Sequence, residues 1–130
     1  MNKTNVLALA DYLEALPAVS RFNMATYMHC GTPSCMASYE CERIGVDLKE
    51  ATCAAQIAAE AASSLGLADE AGLCSRRAVH LFSPPKMGVN CAWSCGAREG
   101  EHGFITKQHA VNCLRNLAKT GRVDWDATAP

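Results

Sequence analysis

The cysteines are the residues of this chain whose type and spacing most suggest chemistry. Eight occur among 130 residues, and two pairs lie close together in the sequence: Cys30 with Cys35, and Cys91 with Cys95. Four thiolates are a donor set that suits Zn²⁺. The spacings of four and three intervening residues are wider than the two-residue spacing of common zinc modules, so a zinc site is one interpretation among three. Further candidate ligands are His29, Cys41 and His102.

The pair Cys30 and Cys35 has two other interpretations. Cys30 lies just before a predicted helix cap and Cys35 in the first turn, where the helix dipole favours a thiolate. Either cysteine could then be a nucleophile, with a histidine such as His29 or His109 as its base. In the third interpretation a Gly-Thr-Pro bend turns the chain into the helix, and both cysteines pack as small buried hydrophobes or pair with one another. We favour this structural role, and therefore predict no catalytic residue.

A long segment without periodicity lies over residues 83–103. Its glycines and prolines predict an irregular loop, and loops of this length in a small domain are usually functional or disordered. The side chains of Trp93, Arg98 and His102 combine an aromatic ring with polar and cationic groups, which is typical of partner-binding surfaces. A disordered excursion is the alternative.

Arg76 and Arg77 form a small basic patch shortly before this segment. Together with Arg98 or Lys86 they are candidates for contacting a phosphate group or an acidic partner. Two adjacent arginines are also common on a solvated helix face. We predict both Arg76 and Arg77 as partner-binding residues.

Four cysteines and two histidines stand alone on predicted helices. A single cysteine there behaves as a slightly larger alanine, so a core-filling role is predicted. For the histidines, a hydrogen-bonded or exposed imidazole is more common than a ligand. These residues are Cys41, Cys53, Cys74, Cys113, His80 and His109.

Helical periodicity accounts for most of the remaining chain and predicts an all-α fold. A single domain formed by a bundle of about four to five helices, with one long irregular loop, fits this length. Helices are predicted over 3–16, over 33–43 with Thr32 as N-cap, over 47–66 from an Asp47/Glu50 capping box to Gly66, over 67–82, and over 106–119 between Thr106 and Gly121. In the fourth of these, Gly72 weakens the pattern and Ser75 is an alternative start. Val123 and Trp125 are predicted to fold back onto the bundle, and residues 126–130 to fray.

The charge and hydropathy of the chain argue against several classes of function. The chain has 12 Lys and Arg residues and 13 Asp and Glu residues, which gives a net charge of −1. It therefore lacks the excess of positive charge that is typical of proteins that bind nucleic acids or acidic membranes. No apolar run reaches the roughly 18 to 20 residues of a membrane span. Asp11 and Glu14 interrupt the first apolar stretch, unlike a secretory signal, so a cytoplasmic location with reduced thiols is expected.

Short motifs at both ends resemble a group of small uncharacterised proteins encoded by bacteriophages, prophages and bacteria. The resemblance is carried by a Cys-Gly-Thr-x-x-Cys motif and by a Thr-capped helix that runs into Gly-x-Val-Asp-Trp. The matching residues are Cys30, Gly31, Thr32, Cys35, Ile105, Thr106, His109, Ala110, Leu114, Gly121, Val123, Asp124 and Trp125. The Ile-Ala-Gly stretch of that group is replaced by residues 36–38 here, and the loop around Cys91 and Cys95 has no counterpart.

The resemblance implies an intracellular helical domain of phage or mobile-element origin and carries no activity. Small proteins of such origin commonly bind a host enzyme or a defence component. We therefore expect a non-enzymatic accessory protein of the host cytoplasm that binds a host or defence protein, as a homo-oligomer or through the 83–103 loop. The alternatives are a small zinc-binding domain using two cysteine pairs, and a binder of a small phosphorylated signal molecule. We expect no cofactor, with zinc as the alternative.

Overall fold

The computed structural model describes residues 1–17, 22, 28–29, 32–33, 35–48, 54–82 and 106–128, and these are mainly helical. The prediction of an all-α bundle is confirmed. The elements are α1 (Lys3–Glu14), the two-residue strands β1 (Met28–His29) and β2 (Thr32–Pro33), α2 (Met36–Ile44), α3 (Ala54–Leu65), α4 (Arg76–Phe82) and α5 (Lys107–Thr120). No helix in these ranges has the length and apolar character needed to cross a membrane. The predicted 83–103 loop lies outside the described residues.

Helices α1 and α5 pack along each other and form the first packed pair of the bundle. Each buries an apolar stripe at helical spacing, for example Leu9 and Leu13 on α1 and Leu114 on α5. Helix α5 begins where the sequence predicts, because the Thr106 hydroxyl accepts a hydrogen bond from the His109 amide at 3.1 Å. The left-handed C-cap Gly121 ends it, also as predicted.

Helices α2 and α3 form the second packed pair. The inner face of α3 is built largely from small side chains such as Ala58, Ala61 and Ala62, which allow the two helix backbones to approach closely. Gly66 terminates α3 with a φ of +69°, as predicted from the sequence. The helix is described from Ala54, so Glu50 of the predicted capping box lies outside the described residues.

The start of α2 differs from the sequence prediction. Thr32 does not act as an N-cap, because Thr32 and Pro33 form β2 and pair antiparallel with β1. A residue that precedes proline favours extended backbone, which suits both a strand and an N-cap, so the pairing with β1 decides between the two. The helix begins at Met36 with Cys35 as its N-cap residue.

The 67–82 segment is not one continuous helix. The Asp69 carboxylate accepts hydrogen bonds from the amides of Ala71 and Leu73, both at 2.9 Å, and closes a turn ahead of the helix. The Ser75 hydroxyl then accepts from the Ala78 amide at 3.3 Å, and α4 follows, as the alternative start predicts. Cys74 therefore lies in a β-bridge and not on a helix, so its predicted position was wrong.

The chain after α5 folds back onto the bundle, as predicted. Trp125 is buried, with 4% of its surface exposed, and Val123 packs against the core. A further turn follows, in which the Ala127 amide donates to Asp124 Oδ1 at 2.9 Å. Residues 126–128 thus belong to a hydrogen-bonded turn, whereas fraying was expected over 126–130.

Candidate functional site

An open groove of about 540 Å³ lies between α4 and the chain that leaves α5. Its size falls within the roughly 300 to 1,000 Å³ of small-molecule sites. Its lining residues are mostly polar or cationic: Ser75, Arg76, Arg77, His80, Gly121, Arg122 and Val123. We call this feature the basic groove.

One wall of the basic groove is the outer face of α4. The helix buries Ala78, Leu81 and Phe82 against the core, which leaves its other residues facing solvent because a helix is buried on one stripe. Arg76, Arg77 and His80 are accordingly exposed. The spacing of the buried apolar residues on α4 therefore places its two arginines on the side of the helix that faces solvent.

The other wall is the segment 121–123. Gly121 has a φ of +76°, which reverses the chain at the end of α5 and brings the exposed Arg122 alongside α4. The Arg122 backbone is held by α5, since its amide donates to Thr120 Oγ1 at 3.2 Å and its carbonyl accepts from Asn116 Nδ2 at 3.4 Å. Its position is therefore set by the bundle, while its guanidinium remains exposed.

Among the described residues, the basic groove is lined by three guanidinium groups and by no carboxylate. The ion pairs in the described ranges involve Arg43 and Arg115, and none involves Arg76, Arg77 or Arg122. Arg77 Nη1 makes a weak contact with Met1 Sδ at 4.0 Å. Unpaired like charges around one concave surface raise the local positive potential and attract an anion.

Cys35, the described member of the first cysteine pair, is a buried core residue. It is 2% exposed, and burial raises the pKa of its thiol. Ser38 Oγ donates to the Cys35 carbonyl at 2.8 Å and lies 3.7 Å from its Sγ, and hydrogen bonding from Ser38 lowers the thiol pKa by less than burial raises it. The thiolate expected from the helix dipole is therefore disfavoured, and Cys35 packs as the small buried hydrophobe that the structural interpretation predicts.

The predicted zinc ligands are only partly described. Cys30, Cys91 and Cys95 lie outside the described residues, so the zinc site stays a prediction. Within the ranges that the structure describes, no three or more His, Cys, Asp or Glu side chains are grouped to hold a metal ion. Of the predicted partner-binding residues, Arg76 and Arg77 line the basic groove, while Trp93, Arg98 and His102 are not described.

The isolated cysteines and His109 serve the core. Cys41 and Cys113 are fully buried on α2 and α5, and desolvation raises the pKa of each thiol to about 12. Their predicted core-filling role is confirmed, whereas Cys53 is not described. His109 is 4% exposed and its Nε2 lies 2.5 Å from the Trp125 carbonyl oxygen, so its imidazole is hydrogen-bonded as expected.

The sequence does not predict His80 and Arg122 as site residues, although both line the groove. The signal for Arg122 was present, because it follows the predicted helix end at Gly121 and precedes a tail predicted to fold back. The sequence did not reveal that this tail returns to α4. Arg76 and Arg77 were instead grouped with Lys86 and Arg98, both outside the described residues.

No protein-family model matches the chain, and neither the curated proteins nor the solved structures include a significant match to it.

Proposed function

We propose that this protein is a non-enzymatic binding protein whose basic groove holds a small molecule through its phosphate groups. The observation that carries the proposal is the placement of Arg76 and Arg77 on one wall and Arg122 on the other, around a groove whose described lining includes no carboxylate. The ligand class is that of a small phosphorylated signal molecule, which is one of the alternatives that the sequence leaves open.

Phosphate fits the donors of the basic groove better than a carboxylate does. A guanidinium presents several N–H donors in a plane and binds two oxygens of an oxyanion at once. A terminal phosphate offers three acceptor oxygens and close to two negative charges, so one phosphate group can engage more than one arginine. Arginines on two opposing walls favour a ligand with more than one phosphate group.

The groove also has room for the organic part of such a ligand. Its volume of about 540 Å³ lies within the roughly 300 to 1,000 Å³ of sites that hold small organic molecules. Val123 and the aliphatic stems of the arginines supply apolar surface beside the charges. Inorganic phosphate alone is therefore expected to bind more weakly than a nucleotide.

A protein partner with acidic and apolar side chains is the second candidate. Leu73, just before α4, is 60% exposed, and Val79, on α4, is 48% exposed. Both lie near Arg76 and Arg77 in the sequence. Exposed apolar side chains next to arginines are a common composition of protein interfaces. That such a partner is a host or defence protein, and that the chain is of phage origin, remain proposals carried by the sequence resemblance.

The test is a calorimetric titration at low ionic strength with ADP, pyrophosphate and adenosine. We expect ADP to bind more tightly than pyrophosphate, and adenosine not to bind detectably. Arg122→Gln should weaken ADP binding about tenfold, as expected for losing a hydrogen bond to a charged group. Lys119→Gln is the matched control, because it removes the same charge from an exposed site on α5 that does not line the groove.

Two results would overturn the proposal. The first is no heat of binding with either phosphate compound. The second is an equal loss of affinity in Arg122→Gln and Lys119→Gln, which would indicate attraction to overall charge and not a site. Binding of acidic, apolar-containing peptides that depends on Arg76 and Val79, without ADP binding, would instead support the protein partner.

A further inference from the structure

We propose that Trp125 is a positioning residue that sets the spacing between the two walls of the basic groove. This inference rests on the proposed function and deepens it, because it names the residue that aligns Arg122 with the arginines of α4. Trp125 does not line the groove itself.

Trp125 is hydrogen-bonded to α4, which forms one wall of the groove, and to α5, the helix from which the other wall leaves. Its indole Nε1 donates to the His80 carbonyl of α4 at 3.0 Å, and its own carbonyl oxygen lies 2.5 Å from His109 Nε2 on α5. The rings of Trp125 and His109 also meet edge-on, with centroids 5.2 Å apart and an interplanar angle of 78°. Trp125 therefore connects α4 to α5. Its side chain bonds to α4, and mainly its backbone bonds to α5.

Helix α4 needs such a connection. It has seven residues, which is too short for a helix to be stable by itself in water. Its buried residues Ala78, Leu81 and Phe82 hold it to the core by apolar contact, which has no strong directional preference. His80 lies among the last four residues of α4, whose carbonyls have no partner within the helix. The Trp125 indole satisfies one of these carbonyls with a directional bond and fixes the orientation of the helix.

Trp125 restrains the position of Arg122 because only a short backbone segment joins the two residues. Three residue steps separate them, at most about 10 Å of extended backbone. With Trp125 anchored to His80 and His109, and the Arg122 carbonyl bonded to Asn116, the segment has little freedom to move away from α4. Loosening Trp125 would let the groove widen and would remove Arg122 from a ligand held by Arg76 and Arg77.

Trp125→Phe tests this role because it keeps an aromatic ring and the backbone carbonyl but removes the indole donor. We expect ADP affinity to fall about fivefold to tenfold. We also expect the effect of Arg122→Gln to shrink from about tenfold to about twofold in the Trp125→Phe background, since Arg122 would already be displaced. A merely structural role would lower stability but leave the effect of Arg122→Gln unchanged, and that result would overturn the inference.

Amide hydrogen exchange of the unliganded protein separates this inference from the proposed function. In Trp125→Phe we expect faster exchange in α4 and in the amides that follow Gly121, with unchanged exchange in α1. The indole N–H of Trp125 should be protected in the wild type. Trp93→Phe identifies its resonance, because the chain has two tryptophans. If exchange becomes faster as described but ADP does not bind, the proposed ligand is refuted and the positioning role of Trp125 is retained. If Trp125→Phe leaves the exchange rates of α4 and of the amides after Gly121 unchanged, the positioning role is refuted.

Discussion

Ser64 on α3 donates a hydrogen bond to the buried carboxylate of Glu40 on α2, with Oγ 3.0 Å from Oε2. Glu40 is completely buried, and Arg43 one turn later binds both carboxylate oxygens, at 2.5 Å through Nε and 3.0 Å through Nη2. The Arg43 side chain is 20% exposed and reaches water. A fully hydrogen-bonded charge is thus enclosed at the interface of α2 and α3.

The two members of this ion pair should differ in their effect on stability. Arg43→Gln leaves the buried carboxylate without its cation, and we expect a loss of about 3 kcal/mol in the free energy of unfolding. Glu40→Gln keeps the shape and an acceptor for Ser64 while Arg43 remains hydrated, so a loss of about 1 kcal/mol is expected. Urea denaturation measures both. Equal losses, or a larger loss in Glu40→Gln, would contradict the role assigned to the buried carboxylate.

Gly66 should tolerate alanine much less well than Gly72. Both have a positive φ, +69° and +78°, which costs an alanine about 1 kcal/mol. A Cβ at Gly72 meets no atom within 4 Å, whereas at Gly66 it would collide with the backbone of Met1 and Asn2. That collision would also break the hydrogen bond from the Asn2 amide to the Leu65 carbonyl, which is 2.8 Å long.

Thermal unfolding of Gly66→Ala and Gly72→Ala provides the comparison. We expect Gly66→Ala to lose about 1 to 2 kcal/mol more than Gly72→Ala, since it loses a backbone hydrogen bond besides the strained φ. Similar melting temperatures for the two variants would show that the N-terminal residues do not pack against the end of α3.

Stability should fall in alkaline solution because of the buried thiols. Cys41 and Cys113 have a pKa of about 12 in the folded protein, against a usual value of 9. Between these values the folded state retains a proton that the unfolded state releases, so their contribution is complete below about pH 9 and is lost as pH rises towards 12. Each thiol is expected to contribute a slope of about 1.4 kcal/mol per pH unit.

Urea denaturation at pH 8, 9 and 10 measures this slope. The double variant Cys41→Ala/Cys113→Ala should be less stable at pH 8, because it leaves small cavities, yet lose less stability between pH 9 and 10. Tyr12 and Tyr39 also have pKa values raised by burial and remain in both proteins, so the difference in slope reports the thiols. Parallel pH profiles for the two proteins would contradict the prediction.

Where the sequence predictions were right, local chemistry decides the structure. Thr106 caps α5 and Gly121 ends it because a hydroxyl acceptor and a left-handed residue are needed at those places whatever packs around them. The prediction failed at Thr32, where a local N-cap signal competed with strand pairing, and the pairing to residues 28–29 prevailed. It also failed at Cys74, where the Asp69 turn interrupts a pattern that satisfies helical spacing.

By itself, the sequence determined the all-α class, the start of α1, the limits of α5, and the burial of lone cysteines such as Cys41 and Cys113, because periodicity, caps and small apolar side chains act over one or two turns. The tertiary structure decided which distant residues meet. Arg122 lies 46 positions after Arg76, and Trp125 lies 45 after His80. Their approach depends on the packing of α4 and the returning tail against the same core, and helical spacing carries no information about such distant pairs. The basic groove is therefore a property of the packed bundle, although each of its arginines is visible in the sequence.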